Sequence, residues 1–133
     1  MASITLSAAT QVVTAAIAEA DRIDVPMNVA VVDAGNNLTT FTRMDGAWLG
    51  SIQIAQDKAF TARAFDMPTA DLVDMTQPGA PLYGIEVSNG GRVVIFAGGI
   101  PLLAGTEVIG AIGVSGGTPD QDAQVAAAGV AAL

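Results

Sequence analysis

Two tight turns constrain this chain more than any other feature. Gly35-Asn36-Asn37 separates the run Asn28–Asp33 from Leu38–Arg43, and Gly105-Thr106 separates Ile100–Ala104 from Glu107–Val114. Glycine and asparagine tolerate positive φ, so both links suit hairpins. Strands joined so closely must pair antiparallel, because a parallel crossover needs a dozen or more residues. Asn89-Gly90-Gly91 signals another turn before Arg92–Phe96, which adds a further expected strand, and Tyr83 and Ile85 lead toward a short one.

Helices flank these strands. Leu6, Ala9, Val13, Ala16, Ile17, Ala20 and Ile23 recur at helical spacing, which predicts a first helix from about Ser7 to Asp24, ended by Pro26. Trp48, Ile52, Ala55, Ala59 and Ala62 form a second stripe, with Asp45 placed to cap that helix and Lys58 at the edge of the stripe. Thr69 begins a shorter helix through Met75. Thr118-Pro119-Asp120-Gln121 carries the cap, first-turn proline and closing glutamine of a capping box, and opens a terminal Ala/Val helix that should be mostly packed. Helices covering an antiparallel sheet make an α+β layered sandwich. With no repeat or linker, residues 1–133 are expected to form one domain.

Composition narrows the chemistry. The chain has no Cys and no His, which removes disulfides, thiolate chemistry, the commonest general base and the commonest metal ligand, and no metal site is expected. A net charge of −8 opposes nucleic acids and anionic membranes. Met1-Ala2-Ser3-Ile4 lacks the basic residues of a secretory signal, and the apolar run Val93–Gly105 is too short to span a bilayer, so a cytoplasmic location is expected. Hydrophobic residues make up 51% of the chain, more apolar surface than a lone domain of this size usually hides, which points to a homo-oligomer.

Against that background the charges stand out. Only five residues are basic, and three of them, Arg43, Lys58 and Arg63, fall in one short stretch. Arg43 offers a planar fork for a carboxylate or phosphate, and Lys58 a compact cation whose pKa falls in dry surroundings. Together they would clamp a small organic anion, with Asp45, Asp33 or Glu86 as proton acceptor. The alternative is structural: Asp45 caps the helix, Arg43 pairs with it, and Lys58 snorkels.

Glycines raise a second question. Gly98-Gly99, and Gly110 with Gly113 inside an apolar strand, mark a close approach by a backbone or a flat ligand. Tyr83 and Trp48 either flank such a pocket or belong to core and interface, and Glu86 can pair with Arg92 across strands. Ser115-Gly116-Gly117 before a helix is either a phosphate-binding turn or a turn that needs positive φ.

Several blocks in this order carry a family resemblance: Val31-Val32-Asp33-Ala34-Gly35, Arg43-Met44-Asp45-Gly46-Ala47, Ser51-Ile52, Lys58-Ala59, Gly98-Gly99-Ile100-Pro101-Leu102, and Ile109 to Gly117. Across nearly its whole length the chain resembles the GlcG/HbpS family. The resemblance implies a profilin-like fold with a five-stranded antiparallel sheet, assembly into oligomers as large as octamers, and haem as a cofactor. Haem iron is usually held by His, Cys, Met or Tyr, and here only Tyr83 and the methionines Met1, Met27, Met44, Met67 and Met75 remain. Two functions stay open. One is a binding protein for haem, another tetrapyrrole or a small metabolite at a subunit interface, with Arg43, Asp33, Ser51, Tyr83, Gly98 and Gly99 as contacts. The other is a metal-free acid-base enzyme on a small organic acid, such as an isomerase, tautomerase or lyase, using Arg43 and Lys58 as clamp and Asp45 or Glu86 as base.

Overall fold

The structure is a computed structural model that describes residues 2–133. Helix α1 spans Leu6–Arg22, and the Thr5 hydroxyl caps it by accepting the Ala8 N–H at 3.1 Å. Its buried stripe is Ala9, Val12, Val13, Ala16 and Ala20. Leu6, expected on that stripe, is exposed.

Strands β1 (Asn28–Asp33) and β2 (Leu38–Arg43) form the first hairpin, and β3 (Gly99–Ala104) and β4 (Glu107–Ser115) the second. In the first turn the Asp33 carboxylate accepts the N–H groups of Gly35 and Asn37, each at 2.9 Å, while Asn36 takes φ +64°. The hairpins join through β1 and β4, giving one antiparallel sheet in the order β2-β1-β4-β3.

Side chains alternate across this sheet. Val29, Val31, Leu102, Ile112 and Val114 meet α1 and the terminal helix α4 (Pro119–Ala131). Ala30, Val32 and Ala111 face the other way, against Ala55, Ala59 and Ala62 of α2 (Gly50–Phe65). Helices therefore cover both faces. The short helix α3 (Leu72–Met75) follows α2, and Thr118 with Gln121 forms the expected capping box of α4. None of the helices among the described residues is long and apolar enough to cross a membrane.

The sheet has four strands among the described residues, one fewer than the five expected. Arg92–Phe96 runs outside it because a side chain of α2 takes its backbone groups. The Thr61 hydroxyl accepts the Val94 N–H at 3.0 Å and shares its single proton between the Asp57 carbonyl at 2.7 Å and the Arg92 carbonyl at 3.2 Å. Tyr83 and Ile85 do not form a strand either. Short 3₁₀ turns at Ile85–Val87 and Asn89–Gly91 occupy that region.

Small residues let α2 approach the sheet at backbone distance. Gly99 and Gly113 are cross-strand partners, so their missing side chains leave one continuous notch. A Cβ on Gly113 would strike the Ala55 carbonyl and the Ala59 N–H, and one on Gly99 would strike the Lys58 carbonyl. Both collisions are with helix backbone, which cannot rotate away. Gly113→Ala is therefore expected to lower stability by about 3 kcal/mol, measured as a fall in the urea unfolding midpoint. Ala substitution at the exposed, open Gly50 serves as the control.

Candidate functional site

Arg43 ends β2 at the surface, and its guanidinium donates to the Ala47 carbonyl at 3.4 Å. The chain then turns through Asp45 and Gly46, with the Ala47 N–H bonded to the Met44 carbonyl at 3.1 Å and Gly46 at φ +81°. Asp45 does not cap α2, contrary to the sequence expectation. The helix starts later, at Gly50, with Leu49 in the cap position and no side-chain cap. Asp45 instead lines an open groove of about 380 Å³ with Thr42, Arg43, Met44 and, from α1, Ile17 and Asp21.

The ion pairs define what is distinctive about Arg43. Arg22 pairs with Glu19, Arg63 with Asp66, Arg92 with Asp57 and Lys58 with Asp122. Among the described residues Arg43 is the one basic side chain with no carboxylate within 4.0 Å.

Lys58 stands apart from that groove. It is fully buried, not at a helix edge, and does not join Arg43 in a clamp. Its ammonium donates to Asp122 Oδ2 at 2.6 Å and to the Val114 carbonyl at 2.9 Å, and lies 4.8 Å from the centre of the Phe96 ring. The other carboxylate oxygen of Asp122 accepts the Gly117 N–H at 2.8 Å. Burial pushes the Lys58 amine down and the Asp122 carboxyl up, while their mutual attraction and hydrogen bond oppose both shifts. The glycine turn before α4 is thus already facing an anion, the protein's own Asp122.

The remaining expected contacts are scattered. The Asp33 carboxylate is engaged in its turn, Ser51 is buried on α2, Glu86 is half-buried in its 3₁₀ turn, and Tyr83 is 68% exposed. None of them lines the groove of Arg43. Gly98 and Gly99 are buried, and their bare surface is filled from within. A Cβ on Gly98 would lie 2.7 Å from the Lys58 ammonium and 2.6 Å from the Val114 carbonyl, while the Gly99 N–H donates to the buried Thr69 hydroxyl at 2.9 Å. Arg92 turns to Asp57 at 3.2 Å and to the Phe60 ring rather than to Glu86.

A family model described as haem degrading protein HbpS-like matches residues 4–131. The chain belongs to the HbpS-like family. A 15.0 kDa protein encoded in the dhaT-dhaS intergenic region of Citrobacter freundii is 46% identical over 122 residues, which is 92% of this chain and 86% of that protein. Klebsiella pneumoniae protein ORFY superposes with a TM-score of 0.97 at 39% identity, covering 99% of this chain and 91% of that one. The PduOC–haem complex superposes with a TM-score of 0.95, also at 39% identity, covering 98% of this chain and 95% of that one.

Two residues of this HbpS-like chain escaped the sequence reading. Asp122 shares the helical stripe of Val125, Ala126 and Gly129, a spacing that would have flagged it as buried and in need of a cation. Asn28 is fully buried, and its amide donates to the Trp48 carbonyl at 3.0 Å, holding the segment that leads into α2. Removing one member of the buried ion pair leaves an uncompensated charge. Lys58→Met is expected to cost about 3–5 kcal/mol in chemical denaturation, and the double variant Lys58→Met/Asp122→Leu to recover most of that loss.

Proposed function

We propose that this protein is a non-catalytic binding protein for a tetrapyrrole of the haem class, taken up on its surface where subunits meet. The observation that carries this reading is the likeness of nearly the whole chain to the PduOC–haem complex. The groove beside Arg43 supplies the chemistry. Ile17 and Met44 give it apolar wall, and Arg43, lacking an ion-pair partner, offers its fork to a ring carboxylate. The flanking Asp21 and Asp45 restrict that attraction to a ligand whose anionic group reaches the guanidinium itself.

The groove is open, so a bound ring needs a second wall. Trp48 and Leu49, immediately beyond it in the chain, are 66% and 73% exposed, and Tyr83 and Val87 add further apolar surface. Large apolar side chains exposed in this way are covered by association, and a second copy of the chain is the partner proposed, in a closed homo-oligomer of up to eight subunits in the cytoplasm. We also assign the fold to the profilin-like class that the family resemblance implies. The acid-base enzyme reading is less favoured, since Lys58, half of its anion clamp, is bound to Asp122 in the interior.

Haemin added to the purified protein should give a saturable Soret shift, and Arg43→Ala should weaken binding about tenfold or more without moving the unfolding midpoint. A featureless, nonsaturating titration would overturn the binding reading. In light scattering, Trp48→Glu/Leu49→Glu should reduce the mass to that of a smaller assembly.

A further inference from the structure

The haem class brings an expectation that the metal is ligated by the protein, and the residues present do not fit it. Haem iron is commonly held by His, Cys, Met or Tyr. This chain has no His and no Cys, and a second copy brings the same deficit to any shared site. Met27 is fully buried. Met44 lines the groove, but its sulfur already accepts the Met27 N–H at 3.3 Å. Met67 and Met75 are half-buried and do not line it, and Met1 lies outside the described residues. The Lys58 amine, another nitrogen donor, is sealed between Asp122 and the Val114 carbonyl.

Tyr83 is the remaining donor. It does not line the groove of Arg43, and its side chain stands 68% exposed, away from the apolar wall that would seat the ring. What the surface does offer is apolar wall, exposed Trp48 and Leu49, and the unpaired Arg43. Those groups recognise a flat ring and its carboxylates, not a metal.

We infer that this chain takes its tetrapyrrole by ring and carboxylate alone, leaving the central metal without a protein ligand, so that metal-free and metal-bearing porphyrins are held alike. This rests on the tetrapyrrole-binding reading above and adds to it a choice of ligand class.

Haemin and metal-free protoporphyrin IX, titrated separately into the intact protein, provide the test. Binding is followed by quenching of Trp48, the single tryptophan of the chain. The two dissociation constants should agree within about threefold. Haemin binding more than about threefold tighter than the metal-free ring overturns metal independence and leaves tetrapyrrole binding standing. Saturation by neither compound overturns both.

Discussion

The buried ion pair between Lys58 and Asp122 is the interaction on which the rest of the arrangement depends. It joins α2, on one face of the sheet, to α4, on the other, and takes the end of β4 as its third member through the Val114 carbonyl. Desolvating two charges is expensive, and their attraction offsets that cost only where every remaining hydrogen-bonding position is also used. Here the Gly117 N–H, the Val114 carbonyl and the Phe96 ring complete the set. Any packing of α4 that misses this geometry strands two charges in the interior. The pair therefore selects one docking of the terminal helix more than it adds net stability.

The same economy of charge shapes the surface. Five basic residues face thirteen acidic ones, yet four of the five are committed to carboxylates inside the fold or along its helices. Arg43 becomes distinctive by elimination. Among the described residues it is the one guanidinium free of an ion pair, in a groove it shares with apolar wall and with Asp21 and Asp45.

Local signals were the legible part of the sequence. Both hairpins, α1, and the Thr118/Gln121 capping box follow from residues within a few positions of one another, and the structure reproduces them. Long-range pairings were not legible. Arg92–Phe96 has the composition of a strand, but Thr61, 33 residues away from Val94, takes up its hydrogen bonds. Trp48 continues the apolar pattern of α2, but the helix begins after it and leaves the indole in solvent. Lys58 was legible as a cation at the edge of the α2 stripe, but Asp122 passed unflagged, and their meeting across 64 residues was not legible. The bare surface at Gly98 and Gly99 suits a ligand or the chain's own backbone equally well, and glycine codes for space without naming its occupant.

The notch formed by Gly99 and Gly113 has a consequence at the start of α2. A helix seated backbone to backbone cannot slide or roll to accommodate a neighbour, so its first turn is a fixed anchorage. Arg43 is anchored equally firmly, by its strand pairing with Asn28. The segment from Met44 to Leu49 is thus a short tether between two immovable points, further pinned where Asn28 holds the Trp48 carbonyl. With so little slack, the wall of the groove takes its shape on folding, and for the ligand proposed above the entropy of ordering that wall would be spent in folding instead of in binding.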